Sequence, residues 1–223
     1  MKTVSPVIQT HVFAARDFVA GDPALDFVNT VNGRDVQVPQ DWLDGYPRLL
    51  EWAEKAALVP RDVLRPLAEI ARVEPSEANR ALRRAKRLRD ALFSIVAAMI
   101  SGKTPPADAL ALLNTHWHAG AAAHALRHEK SGLRMHLRAE AIDLDLIASL
   151  VAWRFVEFVL PEPHDRWRLC QGHNCAWLFI DRSKAGRRCW CDMAVCGNAA
   201  KSRRFHARSR QHQRAHRTRP LNR

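Results

Sequence analysis

All five cysteines of this chain lie between positions 170 and 196, in the last quarter of 223 residues. Cys170 with Cys175 and Cys191 with Cys196 form two C-x4-C pairs, 15 residues apart. Two short knuckles joined by a loop can supply four thiolates to one tetrahedral ion, and zinc suits a sulfur-only set. A shell closed by four protein ligands leaves no position for water or substrate, so such an ion is structural. This spacing leaves Cys189 over. Two other ligand sets stay open at this point: Cys189 in place of Cys191, or His173 in place of a cysteine. A redox switch, with disulfides forming under oxidant, is a secondary reading.

The charge is segregated in the same way. Residues 1–165 carry 20 Lys and Arg against 21 Asp and Glu, whereas residues 166–223 carry 15 against only Asp181 and Asp192. The whole net charge of +12 therefore resides in the cysteine-bearing segment. A fused cationic module of this kind points to a polyanionic partner. The composition break sets expected domains at 1–160 and 161–223, with Pro161 to Asp165 as a hinge. The opening residues lack the apolar block of a secretory signal, and no uncharged run reaches the ~18 residues of a membrane helix. The expectation is a soluble, cytoplasmic chain with reduced thiols.

Periodicity gives an α+β chain: a mostly helical N-terminal domain with a few short strands, then a small four-cysteine finger followed by a basic helix. Phe13 to Phe18 and Leu25 to Val31 are β-prone runs around Gly21-Asp22-Pro23. Helices are predicted over 42–58, with Pro47 in the first turn, and within 61–73. Another is predicted from an N-cap at Ser76 to about Ser101, with Leu82, Ala85, Leu92, Val96 and Met99 as its core stripe. The basic residues Arg80, Arg83, Arg84, Lys86, Arg87 and Arg89 read as its solvated face. A helix over 107–119, a hairpin over 123–138 turning at Gly132, and an apolar helix over 141–160 follow. The last helix is predicted over 192–214. Lys201, Arg204 and Arg208 fall along one stripe, and Arg203, Arg210, Arg214 and Arg217 along another.

No Gly-rich phosphate loop, nucleophile elbow or His-Glu-x-x-His occurs, so no enzyme mechanism is supported and the expectation is a non-enzyme. The polar cluster containing Asp26, Asn29 and Arg34 is a candidate ligand pocket, weighed against ordinary turn chemistry.

The stretch from Cys170 to Arg208 resembles the CGNR zinc finger of bacterial proteins. The likeness is carried by both C-x4-C pairs, Phe179-Ile-Asp181-Arg-Ser183, Arg187-Arg188, Trp190-Cys191, Cys196-Gly197-Asn198 and Lys201 with the arginines after it. Ala24 to Val31 and Leu49-Leu50-Glu51-Trp52-Ala53 are similar to the ABATE domain that precedes this finger. The resemblance implies a stress-induced transcription regulator with an α/β-type N-terminal domain. It also implies zinc ligands at Cys170, Cys175, Cys191 and Cys196. The chain departs from the family pattern at Ala199, where an Arg is usual, and at Cys189, where a basic residue is usual.

Together these readings lead to a DNA-binding regulator holding one zinc ion, Zn(2+), per chain. Arg187, Arg188, Lys201, Arg203, Arg204, Arg208 and Arg210 are its candidate nucleic-acid contacts, double-stranded DNA its expected partner. The N-terminal domain would sense a small-molecule effector or mediate a homodimer. The alternatives are an RNA- or ribosome-binding protein, or an adaptor in which zinc only scaffolds a docking surface.

Overall fold

A computed structural model describes residues 6–217, with side chains described through Ser209. Among these residues the chain is mostly helical, with short strands, as its periodicity predicts.

The first helix, α1 (Pro23–Val28), replaces a predicted strand. An apolar run buried on every side carries neither a twofold nor a 3.6-fold signal, so periodicity cannot classify it. Its lead-in decides. The Asp22 carboxylate accepts the Ala24 N–H at 2.9 Å, and Pro23 takes a first-turn position where its missing donor is harmless. The other β-prone run forms only a short 3-10 turn, Ala15–Asp17. Strands β1 (Val7–Ile8), β2 (Val31–Asn32) and β3 (Gln40–Asp41) make a small sheet ordered β1-β3-β2, parallel then antiparallel. The α/β-type domain implied by resemblance is thus corrected to a helical body with a strand fringe.

Helices α2 (Tyr46–Lys55), α3 (Arg61–Val73) and α4 (Pro75–Ile100) follow. The last of these starts on Pro75, not from a Ser76 cap, because proline's fixed φ suits a first helical position. Its predicted polar face needs one correction. Arg89 sits with Leu82, Ala85, Leu92 and Val96 at steps of three, four and seven, and is 1% exposed. It donates twice to the buried Asp41 carboxylate, at 2.8 and 2.9 Å.

Helix α5 (Ala107–Ala122) packs on α6 (Leu146–Arg154), which continues into a π turn over Phe155–Val159. Gly120 permits that crossing, since a Cβ there would lie 2.3 Å from the Ser149 carbonyl oxygen. Between α5 and α6 the hairpin β4 (His124–Glu129) and β5 (Gly132–Leu137) turns where predicted.

The C-terminal segment contributes β6 (Trp167–Leu169) and β7 (Leu178–Ile180), antiparallel to each other, and α7 (Asn198–Arg217). One hydrophobic core runs through both parts of the chain, joining Phe27 and Phe155 to Trp167, Leu178 and Phe179. The Phe155 and Trp167 rings meet edge to face with centroids 6.3 Å apart. No helix among the described residues is long and apolar enough to cross a membrane.

Candidate metal centre and basic helix

β7 holds the finger in place. One edge pairs with β6 and the other meets the N-terminal segment. The Leu178 N–H donates to Asn29 Oδ1 and the Leu178 carbonyl accepts from Asn29 Nδ2, both at 2.9 Å. The Ile180 N–H donates to the Ala20 carbonyl at 2.8 Å. A buried asparagine thus supplies a donor and an acceptor where a third strand would.

The first knuckle leaves β6 at Cys170 and returns through Asn174 and Ala176, both with left-handed φ near 60°. Gly172 is required by close approach, because a Cβ would lie 2.8 Å from Cys196 Sγ. In the second knuckle Asp192 accepts the N–H groups of Ala194 and Val195, tightening the π turn Met193–Gly197 that leads into α7. The backbone N–H groups of Gly172 and Cys191 donate to Cys170 Sγ at 3.3 Å each.

The four sulfurs of Cys170, Cys175, Cys191 and Cys196 all lie within 4.8 Å of one another. Cys175 to Cys191 is 3.7 Å and Cys191 to Cys196 is 3.8 Å. Thiolates bound at ~2.3 Å on a tetrahedral zinc stand about 3.8 Å apart, so the donor set fits one zinc ion. Cys189 lies outside it, half-buried, with its Sγ near the Arg187 carbonyl. His173 is not in the cluster either.

Without a cation the crowded thiols oppose one another's ionisation. Hydrogen bonds from Cys175 and Cys191 pull the Cys170 thiol far down. The contact with Cys170 pushes Cys175 and Cys191 up, and burial raises Cys196. A bound dication removes that conflict by favouring the thiolate at all four positions. When bound, it supplies cross-linking and no open coordination position.

Two residues of the loop between the knuckles support the site. Asp181 is fully buried and accepts from the Ser183 N–H at 3.0 Å and the Arg188 N–H at 2.7 Å. Burial opposes its ionisation, but these donors win and hold its carboxyl below the usual range. Arg188 turns inward: its guanidinium donates to the Trp190 and Cys191 carbonyls and lies over the Phe179 ring, 4.8 Å from its centroid. Arg188, expected among the nucleic-acid contacts, is half-buried and in this conformation braces the second knuckle. Sequence pattern hid this, since nothing local separates Arg188 from exposed Arg187.

Lys201, Arg203, Arg204 and Arg208 are exposed along α7, and Arg187 on the loop. The side chain of Arg210 lies outside the described residues. From Asn198 to Arg208 every residue except half-buried Ala200 is exposed, Phe205 included. Ala199 is exposed at the helix root.

The expected pocket residues serve separate contacts. Asp26 is buried, accepts the Ala20 N–H at 3.0 Å, and is pushed up to about 7 by burial. Asn29 holds Leu178. Arg34 pairs with Asp90 at 2.9 Å and lies 4.4 Å from the centre of the Phe93 ring. Their polarity is turned to backbone and to one ion pair, which is the turn-chemistry alternative on a larger scale.

Four clustered cysteines under a helical body define a zinc-finger protein. Residues 21–161 match the ABATE family, described as "Putative stress-induced transcription regulator", and residues 166–209 match the CGNR zinc finger. The chain belongs to the ABATE family and carries a CGNR finger at its C-terminal end. No curated protein matches it.

Proposed function

We propose that this protein is a transcription regulator that grips double-stranded DNA through its finger and α7. Its N-terminal domain responds to a small molecule or joins two copies. The carrying observation is α7 itself: a helix exposed on all sides over its first turns, rooted in the zinc knuckle, basic, and without one acidic residue from 198 to 223. A helix with no apolar stripe gains nothing from packing on its own domain. Its cations are instead placed to neutralise phosphates and release counterions. The family description supports the regulatory part of this reading.

Five exposed cations, Arg187, Lys201, Arg203, Arg204 and Arg208, set the scale. If most of them meet phosphates, the slope of log affinity against log salt is about −4. Deleting residues 200–223 should flatten that slope, and the zinc-loaded protein should bind a duplex more tightly at low salt. Binding that is absent or insensitive to salt would remove the proposal.

One observation favours RNA as a second reading. Phe205 presents an exposed ring on the same helix, suited to stacking on an unpaired base. Competition between a duplex, a single strand and a folded RNA separates the two, and Phe205→Ala should weaken only the RNA complex.

A further inference from the structure

A cavity of about 370 Å³ opens where the N-terminal segment, both knuckles and the root of α7 meet. None of Asp26, Asn29 and Arg34 lines it. Its volume falls in the range of small-molecule sites. We propose that it binds a small organic cation with an aromatic body, such as a protonated arylalkylamine. This deepens the ligand-sensing part of the proposed function and depends on that reading for its regulatory meaning.

The walls specify the chemistry. His11 stacks on Trp42 with centroids 3.8 Å apart and planes 9° from parallel, and Trp42 meets Trp177 nearly edge-on at 5.6 Å. All three rings line the cavity. Aromatic walls favour an apolar body and attract a cation.

Two carboxylates, Asp17 and Asp192, also line it. Asp17 uses Oδ2 to accept from the Ala14 N–H and to meet His11, and Asp192 uses Oδ1 for Ala194 and Val195. The second oxygen of each has no hydrogen-bond partner among the described residues. Cys175, Cys191 and Cys196 line the same space, and four thiolates around a divalent ion leave a net charge of about −2. The opposing basic groups are the His11 imidazole, which meets Asp17 at 2.9 Å, the His173 imidazole, and Arg16, exposed and without an ion-pair partner among the described residues. The sum is a negative, aromatic-walled hollow inside the most basic part of the chain. Val195 and Ala199 complete its wall, so an occupant would touch the lead-in to α7.

The test uses zinc-loaded, full-length protein with no nucleic acid present. Phenethylamine, 2-phenylethanol and phenylacetate, which differ mainly in charge, are titrated and followed by ligand-observed NMR. Phenethylamine should bind one per chain in the millimolar range usual for so small a molecule, about tenfold or more tighter than the other two. Arg16→Glu, on an exposed side chain, should tighten it by about threefold or more, and Asp17→Asn should weaken it by about tenfold. Three outcomes each overturn the proposal: no binding of the amine, phenylacetate as the tightest of the three, or an amine affinity unmoved by Arg16→Glu. Duplex binding plays no part in these readouts. Failure here leaves the DNA reading standing, and failure of the salt titration leaves this site standing.

Discussion

Replacing Asn29 by alanine removes both partners of Leu178 in one step. The side chain is 3% exposed and its two contacts, at 2.9 Å, satisfy a buried N–H and a buried carbonyl. Each backbone group orphaned out of reach of water costs about 1–3 kcal/mol, so Asn29→Ala should destabilise by about 2–5 kcal/mol. For a chain of this length that is a fall in Tm of about 5–15 °C, read by circular dichroism on zinc-loaded protein. Asn29→Asp sharpens the test because it keeps the shape. It retains an acceptor for the Leu178 N–H but sets a carboxylate oxygen against the Leu178 carbonyl. At neutral pH it should be at least as damaging as alanine, and milder in acid once the new carboxyl is protonated. Amide exchange at Leu178 and Ile180 should accelerate in both variants before the centre of α4 changes. If Asn29→Ala stays within about 0.5 kcal/mol of the parent, the size of a neutral surface change, the stitch does not hold the finger.

Three further outcomes are expected. Asp26 has a folded pKa of about 7 against 3.8 for the free carboxyl, so the folded state holds a proton that the unfolded state releases as pH rises. Stability should therefore decline between about pH 4 and 7, by up to about 4 kcal/mol, and Asp26→Asn should remove that slope in urea titrations run across the interval. Asp41→Asn leaves the buried Arg89 guanidinium only the half-exposed Asp90, at 3.5 Å, as counter-charge and should cost about 3–5 kcal/mol by equilibrium unfolding, more than any exposed ion pair of α4. Cys191→Ser should lower bound zinc below one per chain by elemental analysis. It should also remove amide protection across 170–197 while α4, α5 and α6 keep theirs.

The metal ligands were legible because a knuckle is local: its geometry is written in the spacing of two cysteines and the glycine between or after them. The hairpin was legible for the same reason, its turn sitting at Gly132. A run of six charges hides the burial of Arg89, although its step from Leu82, Ala85 and Leu92 puts it in the stripe. The strand predicted at Leu25 became α1 because a segment buried all round shows no period, and only the Asp22-Pro23 lead-in marks a helix. Asn29 stands out locally only as a polar residue, because its partner lies 149 positions away, beyond any local rule. The inward bonds of Arg188 are hidden in the same way, since a guanidinium turned onto carbonyls looks in sequence like any other.

The seam between α1 and β7 bears on how such chains can be recombined. A chimera cut near residue 163 and given the finger of a relative would inherit a strand whose outer edge expects an asparagine and an alanine carbonyl from the host. It would also inherit an indole that expects Trp42 beside it. Grafts should succeed only when those seam positions travel with the finger.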